Sequence, residues 1–364
     1  MSHSTTGHHV FDLNPSPTNP RNSEGAFATL GDGRIVFSYS HFTGGKEDHA
    51  FGHLASRYSS DGGRTWTTED TPLRPNEGMQ TTMSVGYVRL ATGALALFYL
   101  IKNSDSDCRL HMRTSSDEGN TWSNRVLCHT MEGYHVTNND REHVLSNGRL
   151  IAPTSYHGMP MTLRAEAAYM WYSDDLGATW QASEPVPQPS QGNSGLQEPE
   201  VVELRDGRLW MLFRTDLGHQ WQSYSEDGGV RWSPPQPCEH FAAPTSPISI
   251  KRIPHTGDLL AIWNDHSGRF PLPPPETHAA NWRRTPLVSA ISRDDGRTWQ
   301  HHRLLESDFE HGYCYTAIHF TGDAVLLAYC AGGPDCGWVL SRARIRRVPV
   351  AWFYAASGPC GAGW

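Results

Sequence analysis

Long hydrophobic runs are missing from this chain. The longest uninterrupted apolar stretches, residues 94–101 and 324–331, fall well short of the roughly 20 residues that a spanning helix needs, so no membrane partner is expected. The first residues, Met1 to Val10, are polar and His-rich, with no positively charged start and no apolar core. They do not read as a secretory leader, and a cytoplasmic location is expected. Cysteine is sparse, with seven at irregular spacing and no CxxC pair; this argues against a disulfide framework and for mostly buried thiols. Positive charge is short as well. Lys and Arg number 30 against 38 Asp and Glu, a net charge of −8 with His neutral, which is the wrong sign for a nucleic-acid binder. Also absent are GxxxxGK[ST], a GxGxxG opening a helix, HExxH, an EF-hand loop and any close Cys/His set. No nucleotide, metal or other cofactor is therefore expected.

What the chain does have is a repeat. Ser-x-Asp-x-Gly-x-Thr-Trp occurs at Ser59 to Trp66, Ser115 to Trp122, Ser173 to Trp180 and Ser292 to Trp299, and Ser225 to Trp232 differs only by Arg231 for Thr. The spacing averages about 58 residues, which divides the 364-residue chain into six units. A second signal, a glycine turn followed by an apolar run, recurs at Gly33, Gly93, Gly148, Gly207, Gly257 and Gly322. The sixth turn is followed by a strand candidate, Trp338 to Ile345, and no box. Short strands, frequent Gly and Pro and one aromatic signature per unit predict an all-β chain, a six-bladed β-propeller with a four-stranded sheet per blade. It would be a single domain over residues 1–364, with 1–9 disordered and Val10 to Leu13 pairing with the last blade. One stretch within Thr162 to Tyr172 also fits a helix, but the repeat outweighs it.

The five repeated aspartates read as structural. Asp accepts hydrogen bonds from turn amides, Gly tolerates positive φ, and Trp buries its ring against a sheet. A device used five times rarely marks one site. Function is expected where one unit carries what its siblings lack.

The boxes and glycine turns make the chain resemble the sialidase (neuraminidase) family of six-bladed Asp-box propellers. Several segments look like that family's active-site strands, in the expected order. Gln197-Glu198-Pro199, followed one strand later by Arg214, is similar to the segment that places a Glu and a carboxylate-binding Arg in the cleft. Arg284, just before the box at Ser292, corresponds to a second such Arg, and Tyr315 in Gly312 to Ile318 to the nucleophilic tyrosine. The Gly44 to His49 loop lies where the family places its acid/base, which makes Asp48 the candidate. Where the family has an Arg-Ile-Pro segment this chain has Ser23-Glu24-Gly25, with Arg21 nearby. Either Arg21 completes the carboxylate clamp, or Glu24 lines a pocket for a different sugar.

These residue types suit one chemistry. A sialic acid bears a carboxylate on its anomeric carbon, so a charged nucleophile would be repelled where a neutral tyrosine is not. With a pKa near 10 the tyrosine needs a base such as Glu198. Guanidinium groups grip a carboxylate in two places and keep their charge. The reading is an exo-acting glycosidase on a terminal sialic-acid-like or other acidic sugar of a glycan or glycoconjugate. Two alternatives stand beside it: a polysaccharide or uronate lyase with a His or Tyr base, and a non-catalytic glycan-binding propeller. The segments around His135, His157, His219 and His266, including Asp140 and Arg141, are candidate pocket rims. Arg342, Arg344, Arg346 and Arg347 read as an exposed, charged strand face.

Overall fold

The computed structural model describes residues 9–274 and 282–355. The regular structure of the described residues is almost wholly β-strand, and among them no helix is long and apolar enough to cross a membrane. Three sheets have four strands each, and a fourth has 13. Within the large sheet, successive antiparallel meanders meet through short parallel contacts, Gly52 to Thr81 and Gly133–Val136 to Asp107–Ser115.

Middle strands such as Ile35–Phe42, Leu95–Ser104 and Ala324–Gly332 are buried along nearly their whole length. Such runs belong to strands covered on both faces. The next strand outward, Asp107–Ser115, alternates between half-buried and buried, as a strand with one wetter face should. The stretch able to form a helix, residues 163–168, is instead irregular up to Glu166 and then enters the strand Ala167–Ser173, held by seven register pairs to Leu150–Tyr156; tertiary pairing overrides local propensity here.

The repeated turn is a closed hydrogen-bond device. In the copy at Ser173, the Ser173 hydroxyl donates to Asp175 (2.7 Å) and accepts from the Gly177 amide (2.8 Å), while Asp175 accepts from the amide and hydroxyl of Thr179 (2.9 and 2.6 Å). Gly177 sits at φ 89°, a left-handed conformation that favours glycine. The copy with Arg231 keeps the backbone bond to Asp227 and has no Thr hydroxyl to donate. The box tryptophans reach strands outside their own antiparallel meander. Trp180 meets Phe98 edge-on (6.0 Å between centroids), Trp299 meets Phe241 (5.0 Å), and Trp66 packs in a cluster with Leu326 and Ala328 near the other end of the chain.

The two ends of the described chain are tied together. His9–Leu13 pairs antiparallel with Ala343–Pro349, so the expected pairing of Val10 to Leu13 with the last sheet is observed. Residues 1–8 of the segment expected to be disordered lie outside the described residues, and His9 is already in the strand. The C-terminal strand is Ala343–Pro349 rather than Trp338 to Ile345, because the chain turns at Trp338 to Ser341, where the Ser341 amide donates to the Trp338 carbonyl (3.1 Å). Nor is its arginine face free. Arg344 forks onto Asp12 (2.8 and 2.9 Å) and reaches Glu306 (3.1 Å), and Arg347 pairs with Asp323 (3.1 Å). Five cysteines are buried thiols and Cys336 is half-buried; Cys360 lies outside the described residues.

The Thr donors hold Asp117 and Asp175 down to about 2. A carboxyl whose folded pKa lies below its unfolded value, about 3.9, adds stability that is whole above about pH 4 and lost as pH falls towards about 2. The melting temperature, followed by circular dichroism, should therefore drop across that window. An Asp117→Asn, Asp175→Asn double variant should melt lower at neutral pH and show a shallower acid decline.

Candidate active site

Four inner strands share a distortion. Arg21–Thr29, Thr81–Arg89, Gln197–Glu203 and Gly312–Thr321 each slip register against their neighbour, between Ser23 and Ala26, Met83 and Gly86, Gln197 and Glu200, and Cys314 and Ala317. Inside each bulge one residue is left-handed: Glu24 (φ 52°), Ser84 (57°), Glu198 (46°) and Tyr315 (60°). None is glycine, so each costs on the order of 1–3 kcal/mol. All four line one cavity of about 190 Å³. A bulge re-aims a side chain that the sheet's alternation would otherwise send into the core.

The cavity's polar side centres on Glu198. The Tyr315 hydroxyl donates to Glu198 Oε1 (3.1 Å), and Arg214 Nη1 forms an ion pair with Glu198 Oε2 (2.7 Å). Burial would raise the Glu198 pKa, but Arg214 and Arg284 outweigh it and hold the carboxyl below its usual range. Burial, and then the Glu198 charge, push the Tyr315 phenol well up. The resting state is therefore a neutral phenol against a carboxylate, the pairing that a base-activated nucleophile requires. Arg284 is also buried; it donates to Cys314 Sγ (3.0 Å), and its guanidinium lies over the rings of Trp282 (4.9 Å) and Tyr315 (5.1 Å).

A second charged group adjoins the first. Arg21 is 0% exposed, stacked over Phe42 (4.4 Å) and Trp338 (5.4 Å). Its Nη1 donates to Asp48 (2.5 Å) and to the Lys46 carbonyl (3.0 Å), and its Nη2 to Glu24 Oε2 (3.0 Å). Both acids line the cavity, and Arg21 does not. Arg21 is thus bound to two carboxyl groups rather than standing free as a third clamp. The opposite wall is apolar, with Met83, Leu100, Val136 and Met161, and it includes Tyr134 and His157.

Arg284 and His266 line an adjoining cavity of about 730 Å³ that also reaches Arg214. His266 Nε2 lies 3.0 and 3.1 Å from the carbonyls of Arg283 and Thr285. Asp140 and Arg141, expected at a rim, line neither cavity. Asp140 pairs with Lys251 (2.7 Å) and accepts from the Ile318 amide (2.8 Å); Arg141 is buried, pairs with Glu200 and donates to the Ile248 carbonyl (2.9 Å). Both belong to the polar interior between sheets. Among the described residues no group of three or more His, Cys, Asp or Glu could hold a metal ion.

Ser84, Tyr134 and the apolar wall were not foreseen from the sequence. One signal could have found Ser84. Glu24, Ser84 and Glu198 each stand nine residues before the glycine of the following turn, Asp140 eight and Tyr315 seven.

A family model described as a BNR repeat-like domain matches residues 33–327. The chain is similar to a sialidase of Clostridium perfringens, at 27% identity over 228 residues, 56% of this chain and 58% of that protein. It is also similar to a sialidase of Micromonospora viridifaciens, at 25% over 308 residues, 75% of this chain and 44% of that protein. The chain spans about half the length of these curated relatives. Among solved structures, the K499G mutant of NanB sialidase from Streptococcus pneumoniae matches with a TM-score of 0.71 at 15% identity, covering 94% of this chain and 70% of that one. That is a likeness of fold.

Breaking one side of a buried ion pair strands the other. Arg214→Leu should lower stability by about 3–5 kcal/mol in urea unfolding, because Glu198 loses its cation. Adding Glu198→Gln should recover most of the loss.

Proposed function

We propose that the chain, which belongs to the BNR repeat-like domain family, is an exo-acting glycoside hydrolase of sialidase type, working on a terminal sialic-acid-like or other acidic sugar. The observation that carries this reading is the Tyr315 hydroxyl on Glu198 Oε1 with Arg214 on Oε2. Glu198, kept ionised, removes the phenol proton as the Tyr315 oxygen attacks the anomeric carbon. A neutral nucleophile suits a carbon that carries its own carboxylate, and Arg214 and Arg284 are the cations on hand to hold that group. The proton for the leaving oxygen falls to the carboxyl groups bridged by Arg21, among which Asp48 lies on the loop between two strands. Water then releases the sugar from Tyr315. The sialidases among the relatives support the substrate class.

In this reading the sheets close as a six-bladed propeller. Two contacts favour closure: His9–Leu13 completing the last sheet, and Trp66 packed against Leu326 and Ala328 of that same sheet. The cavity would then open on one face, near the axis.

Tyr315→Phe removes only the attacking oxygen. It should keep the fold and the KM while lowering kcat by several orders of magnitude. Turnover of a panel of terminal sialosides and uronides by the wild type decides the reaction. Hydrolysis gives a saturated sugar, whereas an unsaturated, ultraviolet-absorbing product would establish the lyase reading in its place.

A further inference from the structure

Two carboxyl groups share one guanidinium at this site, and their surroundings differ. Asp48 sits on a surface loop with its side chain 59% exposed, and it takes the 2.5 Å contact from Arg21 Nη1. Glu24 sits inside the bulge of Arg21–Thr29 with its side chain 8% exposed, at 3.0 Å from Nη2. One positive charge cannot neutralise two carboxylates. The member that loses more hydration on ionising keeps the proton. Across the cavity Glu198, held as a carboxylate, adds a second negative charge that disfavours ionised Glu24.

We propose that Glu24, rather than the loop residue Asp48, is the proton donor to the leaving oxygen, and that Asp48 serves as the ionised partner of Arg21. This rests on the hydrolase reading above. The geometry suits the task. Both hydrogen bonds of the Glu24 carboxyl, from Arg21 and from the Ser23 hydroxyl (3.1 Å), fall on Oε2, which leaves Oε1 for a ligand in the cavity that Glu24 lines. Tyr315 lines the same cavity, so donor and nucleophile can meet one glycosidic bond. Burial raises the Glu24 carboxyl to about 7, against the pull of Arg21, whereas Arg21 outweighs burial at Asp48 and holds it below the usual carboxylate range. The charged and titratable groups around Glu24 are Arg21 on its own strand, Asp48 on the loop, Glu198 across the cavity, and Cys330 and Tyr134 on neighbouring strands.

The protons balance. As the Tyr315 oxygen bonds to the anomeric carbon, its proton passes to Glu198. The bond to the leaving oxygen breaks with its electron pair on that oxygen, which takes the Glu24 proton. In the second step water gives a proton to Glu24 and bonds through its oxygen to the anomeric carbon, and Tyr315 leaves, recovering its proton from Glu198. A neutral Glu24 also removes the repulsion that an ionised acid in the place of the family's arginine would exert on a sugar carboxylate.

The test compares a good leaving group with a poor one on Glu24→Gln and Asp48→Asn. The substrates are 4-methylumbelliferyl N-acetylneuraminide, which needs no proton to depart, and sialyllactose, which does. In Glu24→Gln kcat/KM, which reports the first step alone, should stay within about tenfold of wild type for the aryl substrate while falling by roughly 10²- to 10⁴-fold for sialyllactose; kcat falls on both, because the second step loses its base. In wild type kcat/KM for sialyllactose should fall as pH rises through about 7, and the variant should lose that limb. Retained aryl turnover shows that the variant is folded. Should Glu24→Gln fail to fold, Asp48→Asn decides by the position of the limb: with the Asp48 charge gone, Arg21 acts on Glu24 alone, so the fall in kcat/KM for sialyllactose should move to lower pH, while below it the two substrates keep their wild-type ratio. A leaving-group split in Asp48→Asn that persists below that limb, or an equal fall in kcat/KM on both substrates in Glu24→Gln, overturns it with the hydrolase reading intact. A wild type silent on both substrates overturns the sialoside reading and this assignment with it.

Discussion

The site depends on one backbone constraint, the bulge repeated in the inner strands. A sheet whose faces are both covered has nowhere to present a polar side chain except at its distorted edge. Glu24, Ser84, Glu198 and Tyr315 occupy that edge in four different sheet segments, each through a left-handed backbone conformation. The strain of these conformations is offset by packing in the middle strands, which are buried nearly end to end. The repeated Ser-Asp-Gly-Thr turns act elsewhere, locking loops and sending tryptophans against strands of other meanders.

Charge is arranged in the opposite sense to the chain as a whole. The protein carries a net charge of −8, yet Arg21, Arg214 and Arg284 gather around the cavity's acids. Two arginines act on Glu198 and hold it ionised. One arginine serves Glu24 and Asp48 together, and the more buried of the two is driven towards its neutral form. Two glutamates in one cavity are thereby set apart in ionisation, by burial and by the number of cations each can reach.

The all-β character and the repeat were legible because each is written in local periodicity: a turn glycine, an apolar run, a box; the pairing of the N-terminal segment with the last sheet followed instead from the need of a circular array to close. Arg214 and Arg284 were legible only through resemblance, whereas Glu198 and Tyr315 also stand at the repeat's offset from a turn glycine, and only resemblance attached a role to them. Ser84 lay within reach of the repeat itself, through its distance from Gly93. Asp140 stands at a matching offset and is used differently, because Lys251 and the Ile318 amide claim its carboxylate.

By itself the sequence determined the repeating unit, since hydrogen-bonded turns and alternating burial are set by neighbours along the chain. It also determined which residue types could do chemistry. Tertiary structure decided which of them meet and in what ionisation state. That Arg21 is bound by Glu24 and Asp48 instead of free, that Arg141 lies in the interior instead of at a rim, and that the arginines of the last strand are paired instead of exposed all follow from packing between sheets. The reason is physical. Desolvation and the number of charges within reach depend on distances through space, and those distances exist only once the sheets have come together.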